Sequence, residues 1–312
     1  MFELMKYVES EKDSWDDFVK RSKNGIFMFE RDYMDYHNER FIDHSLIISR
    51  NNKVIALFPA NECENQIFSH NGLTFGSLIM SYDLRAFEVL NIFLQIKEYY
   101  NILEFRDIIY KVIPSIFHNY PAQEDLYALY RLDAILIRRD ISSVIDLNKP
   151  IRFSESKRQS VTKCLKNDIV FQETNNFIEY WSLLTSVLSK FGTKPVHTIE
   201  EIVKLNEKFP NNIKLFEVRK DNILLAGIVI YDFGKVVHTQ YMANSQEGRK
   251  LGALDFLNER LINTIYKDRS FYSFGISTES QGKVLNEGLI QQKEMMGSRG
   301  IAIDFYKINL QN

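Results

Sequence analysis

One stretch of this chain combines residue types and spacings that could do chemistry: MANSQEGRKLGALDFLNERLI, residues 242–262. Gly248 and Gly252 let a backbone approach closely, and Arg249 and Lys250 add positive charge. They stand where an apolar strand-like run, KVVHTQY, hands over to an amphipathic helix, so unpaired N–H groups and the positive end of a helix dipole gather there. Such a turn can hold phosphate, although a plain helix start with solvated cations has the same pattern. His238 in the preceding run could take a proton near neutral pH, or be a hydrogen-bonded core histidine. Strict alternation puts His238 and Gln240 on one face of that strand and Thr239 and Tyr241 on the other. Lys293 could donate to a leaving group or bind an anion; the competing reading is an exposed lysine paired with Glu294, with Arg299 in the same network.

Weaker candidates lie elsewhere. FSHNGLTFGSLIM carries small residues (Gly72, Gly76, Ser77) beside His70 and Thr74, and a turn-rich hairpin explains it equally well. His197 precedes Thr198 and Glu201, whose spacing reads as a capping box. The basic run from Lys157 to Lys166 has the character of a solvated helix face.

The elements that must position these residues recur in both halves. NNIKLFEVRK, ILLAGIVIYD and VVHTQYMAN, separated by tight-turn signals, form an antiparallel meander. A helix from about Leu251 to Lys267 follows, with Leu251, Leu254, Leu257, Leu261 and Ile265 in helical period; then a strand SFYSFGIS, a helix GKVLNEGLIQQKEMM and a closing strand RGIAIDFYKINL. The first half repeats the order: HSLIISR, VIALFPANE and QIFSHNGLTFGSLIM, then a helix DLRAFEVLNIFLQIKEYY with Asp83 as its cap and Leu84, Phe87, Leu90 and Leu94 on its apolar side. LEFRDIIYKVI, a helix around QEDLYALYRLD and a strand AILIRRDISS complete it. The expected organisation is α/β, two copies of one unit joined where Asn148 and Pro150 interrupt the pattern: residues 1–148 and 149–312. A basic helix, SESKRQSVTKCLKND, opens the second copy with Ser154 or Ser156 as cap.

Composition narrows the function classes. With 45% hydrophobic residues in 312, there is enough apolar material for two packed domains, and an ordered chain is the expectation. A net charge of −2 gives no global field for nucleic acid or membrane, so such contacts would need a local patch. Cys63 and Cys164 are too few for a disulfide framework, and no His/Cys spacing suits zinc, so no metal is expected. The start of the chain lacks a signal-peptide core, and no apolar run reaches the roughly 20 residues of a membrane span. A soluble cytoplasmic protein is the expectation.

A meander followed by R-x-x-G-x-L (Arg249, Gly252, Leu254) opening a helix resembles the pyrophosphate loop of the GNAT acetyltransferase superfamily, with Leu254 where a small residue is usual. Asn286, Lys293 and Gly297 fall at the offsets of that family's Asn, Tyr and Gly in the penultimate helix. Lysine in place of tyrosine is closer to the Fem-type aminoacyltransferases, whose tandem GNAT-like domains end with a Lys before a Gly-containing turn. The segment FSESKRQSVTKCLKNDIVFQE resembles the basic stretch that opens their second domain. The resemblance implies two tandem GNAT-like domains, each a mixed, mostly antiparallel sheet flanked by helices, with the donor site in the second. It implies backbone groups of Met242, Ala243 and Asn244 along the donor arm, Gly248, Arg249, Lys250, Gly252 and Ala253 at its pyrophosphate, and Asn286 on the arm. The implied co-substrate is acetyl-CoA or another acyl-CoA, with Lys293, His238 and Tyr241 as catalytic candidates and an amine or amino sugar as acceptor. A Fem-type transferase using aminoacyl-tRNA on a peptidoglycan precursor is the alternative, and a binding protein that kept the fold without the chemistry is a third.

Overall fold

The computed structural model describes residues 2–311. Along the chain run β1 (Glu3–Lys6), α1 (Lys12–Arg21), α2 (Arg31–Met34), β2 (Ile42–Asp43), β3 (Leu46–Arg50), β4 (Lys53–Phe58), β5 (Asn61–Cys63), β6 (Gln66–Phe68), β7 (Ile79–Met80), α3 (Ala86–Ile102), β8 (Asp107–Lys111) and α4 (Glu124–Arg131). Next come β9 (Ile135–Asp146), α5 (Glu155–Leu165), β10 (Val170–Thr174), α6 (Phe177–Ser189), α7 (Ile199–Lys208), β11 (Ile213–Lys220), β12 (Ile223–Asp232) and β13 (Val236–Asn244). The chain closes with α8 (Gln246–Leu251), α9 (Ala253–Arg260), β14 (Phe271–Ile276), β15 (Thr278–Glu279), β16 (Val284–Leu285), α10 (Glu287–Glu294) and β17 (Arg299–Asn309). No helix among the described residues is long and apolar enough to cross a membrane.

Two compact units divide the chain, and they exchange segments. The first holds the described residues up to Asp140, with Ser280–Val284 and those from Ala302 onward; the second holds Ile141–Glu279 and Leu285–Ile301. The simple cut at 148/149 therefore differs from the observed division, because β9 starts in the first unit and ends in the second while β17 does the reverse. Periodicity locates strands but says nothing about which unit a strand joins.

In the second unit the order is β10-β11-β12-β13-β14-β9, antiparallel throughout except for the parallel β13/β14 pair. The hairpin between β11 and β12 turns on Asp221 and Asn222, both at positive φ (49° and 64°), the geometry a two-residue type I′ turn demands. Asn51–Asn52 and Glu64–Asn65 do the same in the first unit. That unit has one sheet ordered β1-β3-β4-β7, and a run β17-β8-β6-β5-β2 in which β6 and β8 are parallel. Its core gathers Leu46, Ile55, Phe58, Phe93, Tyr100 and Tyr110 with Ile308 and Leu310 from the chain end. The second unit buries Phe216, Ile228, Val237, Leu257 and Tyr272 against α9 and α5.

Several sequence expectations are corrected. The helix expected from Leu251 to Lys267 is broken: Gly252 sits at φ +79° between α8 and α9, and a π-helical turn spans Leu261–Ile265. Asp83 does not cap α3; the cap is Arg85 with Glu88 in a capping box, while Asp83 accepts from Ser81 Oγ at 2.6 Å. On α3 the buried face is Val89, Ile92, Phe93, Ile96 and Tyr100, and Phe87 is 73% exposed. An all-round apolar helix has more than one stripe that satisfies the period, and tertiary packing selects one.

Candidate active site

Two backbone irregularities build the site in the second unit. The first is on β13. Tyr241 pairs with Val229 but Thr239 pairs with Ile230, which leaves Gln240 as the extra residue of a bulge. Past a bulge the alternation inverts. Met242 stays on the face packed against the unit's core, with Val237, while His238, Tyr241 and Ala243 share the opposite face. This corrects the alternation read from the sequence, which separated His238 from Tyr241.

The second irregularity is on β14. Its parallel register with β13 stops at the His238/Ser273 pair, and its register with β9 jumps between Ser273 and Ile276. Gly275 sits there at φ +73°, a conformation side-chain-bearing residues adopt at a cost. β13 continues to Asn244 without a β14 partner, so the two strands diverge and one edge of β13 is left with unpaired main-chain groups. An isolated Gly within SFYSFGIS was the available signal for this bulge.

Lys293 stands at the divergence. It is 3% exposed, and its Nζ donates to Gly275 O (3.0 Å), Ile276 O (2.7 Å) and Ser277 Oγ (2.9 Å). The surface lysine paired with Glu294 is thus not what the fold makes of it. Burial pushes its pKa down to about 8. His238 lies close by, its Cε1 3.2 Å from where a Cβ on Gly275 would be, and its Nδ1 is 3.1 Å from Ser273 Oγ. Burial first, and the Lys293 charge second, lower the His238 pKa to about 4. At neutral pH this imidazole is uncharged and too weakly basic for the proton-accepting role its residue type suggested.

Tyr241 is held by His197. His197 Nδ1 is 2.6 Å from the Tyr241 hydroxyl, and the His197 backbone N–H also points to that oxygen at 3.3 Å. The Trp181 ring packs edge-on to Tyr241, and its Nε1 donates to His197 O at 3.3 Å. The Thr198–Glu201 capping box is present, so it and the His197 contact coexist. Burial raises the Tyr241 pKa to about 12.

The glycine turn is itself largely helical. Gly248, Arg249 and Lys250 lie inside α8, whose cap is Ser245, with Oγ accepting from Gly248 N at 2.9 Å. A Cβ on Gly248 would stand 2.3 Å from Asn244 Oδ1 and from Leu225 O. One on Gly252 would stand 2.4 Å from Ser160 Oγ and 2.6 Å from Ser160 O of α5. Gly252 N donates back to Arg249 O at 3.3 Å, and Lys157 of α5 pairs with Asp255 at 2.6 Å. Both glycines are required by packing, and α5 lies against the turn. Ala253 is buried within α9, and Lys250 is an exposed partner of Glu247. Asn286 is the cap of α10: Oδ1 accepts from Leu289 N at 2.9 Å and Nδ2 donates to Glu279 at 2.7 Å. Of the implied donor-binding set, Met242, Ala243 and Asn244 lie on the unpaired stretch of β13, and Asn244 Oδ1 is buried without a hydrogen-bond partner.

The first unit also holds a buried lysine bonded to main-chain carbonyls. After the β6/β8 pairing, residues 69–78 fold back over β8, and Lys111 Nζ donates to His70 O (3.1 Å), Asn71 O (3.2 Å) and Leu73 O (2.8 Å). Ser77 Oγ donates to Lys111 O at 3.2 Å. The FSHNGLTFGSLIM run is therefore a loop folded around a buried lysine, with only its ends, β6 and β7, in strand conformation.

No protein-family model matches the chain, and no curated protein matches it in sequence. Solved structures do match in shape. FemX superposes with a TM-score of 0.70 at 12% identity, over 97% of this chain and 96% of its own. The C-terminal domain of a lysylphosphatidylglycerol synthetase from Agrobacterium fabrum gives 0.63 at 13% identity, over 96% and 92%. A tandem GNAT protein from the clavulanic acid biosynthesis pathway gives 0.54 at 8%, over 99% of each. At these identities the likeness is one of fold: the chain has the tandem GNAT-like architecture of these structures.

Proposed function

We propose that this protein is an acyltransferase that moves an acyl group from an activated carrier to an amine, at the divergence of β13 and β14. The observation that carries the reading is the buried Lys293 ammonium, held by three oxygens of β14 and its continuation beside the unpaired edge of β13. Acyl transfer needs a stabilised oxyanion and a proton for the leaving group. Main-chain N–H groups between Thr239 and Asn244 would polarise the acyl carbonyl, and Lys293, with its pKa near 8, would protonate the leaving oxygen or sulfur. The incoming amine would pass its proton to the Tyr241 oxygen as the Tyr241 proton moves to His197 Nδ1; no net charge is created at the tyrosine.

The donor favoured by the packing of α5 against Gly252 is an aminoacyl ester of the kind Fem-type enzymes take from tRNA, because Ser160 stands against that turn on the side where a diphosphate would approach Gly252. Acyl-CoA is the second reading, favoured by the exposed Arg249 and Lys250 on α8, next to the end of β13. The acceptor in either case is an amine, whether of a small molecule, an amino sugar or a peptidoglycan precursor. Calorimetric titration with acetyl-CoA and coenzyme A, alongside an aminoacyl-tRNA transfer assay, separates the two. Micromolar acetyl-CoA binding that Arg249→Glu abolishes would overturn the ester donor, whereas transfer from aminoacyl-tRNA that Lys293→Gln abolishes supports it. Failure with every donor and acceptor leaves a ligand-binding protein that kept the fold.

A further inference from the structure

The second unit holds a cavity that shares no residue with the site above. It has a volume of about 470 Å3 and lies where the start of α5 meets the end of α9 and the π-helical turn that follows. Such volumes fall in the ~300–1,000 Å3 range of small-molecule sites. Its walls are apolar: Ile145 from β9, Pro150, Ile151 and Phe153 from the link to α5, Val161 from α5, and Ile262 from the π turn. Ile151 is 48% exposed, so part of this wall faces solvent.

The polar groups are unequal. Arg152 and Arg158 supply two positive charges, and Glu259 is the acid among the lining residues, its Oε1 accepting from Asn263 Nδ2 at 3.1 Å. Arg158 pairs through Nη2 with Glu155, but its Nε is buried and has no hydrogen-bond partner. That enclosed Nε is out of a ligand's reach; what the cavity presents to an anion is the rest of the Arg158 guanidinium, whose hydrogen bonds to an anion are charge-assisted. Arg158 and Thr162 also line an adjoining groove on α5 that carries Lys163 and Lys166 against the single acid Glu155, so a net positive charge continues outward from the mouth. A ligand that satisfies all of this has an apolar body and one anionic end. We propose that this cavity binds a single-chain amphiphilic anion, its apolar part between α5 and the π turn and its charged group on Arg158.

The full chain would be titrated calorimetrically with octanoate, octyl phosphate, 1-octanol and octyltrimethylammonium, each below its micelle concentration. The anions should bind at least about tenfold tighter than the alcohol, the cation weakest, in line with a charge-assisted hydrogen bond. The carboxylate and phosphate arms identify which anionic head is preferred. Arg158→Gln should bring the anions down to the alcohol's affinity. Thr162→Trp, at an exposed position over the mouth, should abolish binding of all four without changing Tm. Equal affinity for octanol and the anions, binding that survives Thr162→Trp, or no binding of either anion would each overturn the proposal.

Discussion

At the scale of single residues the decisive facts are two buried lysines whose charge the fold lowers but does not remove. Lys293 has its pKa near 8 and Lys111 near 7, in both cases because burial disfavours the ammonium. A rate that depends on the Lys293 ammonium should fall as pH rises through about 8, and Lys293→Gln should lose that limb along with about 10²–10⁴-fold in rate. Stability moves the other way. A lysine whose folded pKa lies below the ordinary 10.5 binds its proton more tightly when unfolded, so the fold gains stability as pH rises from about 8 toward 10.5. The urea midpoint should therefore climb between pH 7 and 10; Lys293→Met should remove part of the climb and Lys111→Met another part. A midpoint insensitive to either substitution would show that neither ammonium is desolvated. His238 gives an independent reading of the same charge. In Lys293→Met its NMR titration should shift upward from about 4 yet remain below 6.5, because burial is the larger cause.

At the scale of elements the question is which irregularities make a cleft out of an ordinary meander. The strands of the second unit were legible almost residue for residue, since IKLFEVRK, ILLAGIVIYD and VVHTQYMAN are β-rich runs set between tight-turn signals. The bulge at Gln240 was not legible, because an extra residue changes pairing without changing composition, and it decides that Tyr241 joins His238's face. The glycines of the turn were visible, but their reason was not: sequence spacing cannot show that Ser160 of α5 stands where a Cβ on Gly252 would be. Lys293 was singled out by its offset from Asn286, whereas its burial follows from where α10 lands. Two substitutions separate packing from ligand binding here. Gly252→Ala, with a positive φ and a clash against α5 main chain, should cost about 1–3 kcal/mol in urea unfolding. Arg249→Glu, on the exposed side of α8, should stay within about 0.5 kcal/mol of the parent. A large loss for Arg249→Glu would mean that the side chain carries structure rather than being available to a ligand.

For the molecule as a whole, the exchange of segments between the units makes a strong claim about folding. The strand that completes the first unit comes from the far end of the chain: Phe305, Tyr306, Lys307, Ile308 and Asn309 of β17 pair with Lys111 through Asp107 of β8. Ile308 and Leu310, at 1% and 2% exposure, belong to that unit's core with Phe58, Phe93 and Tyr110. A fragment ending at residue 148, the boundary the sequence pattern suggests, lacks both residues and leaves the β8 edge unpaired. Removing two large aliphatic side chains from a core costs about 2–5 kcal/mol each, comparable to the whole stability of a domain. Residues 1–148 alone should therefore show no cooperative urea transition and should aggregate through the exposed β8 edge. The same fragment carrying residues 299–311 on a flexible linker should regain a cooperative transition and native-like near-UV circular dichroism. If fragment 1–148 folds unaided, β17 is dispensable to the first unit and the two copies are separable domains in the ordinary sense. If only the linked form folds, the first unit cannot complete its core until the last strand of the chain is available.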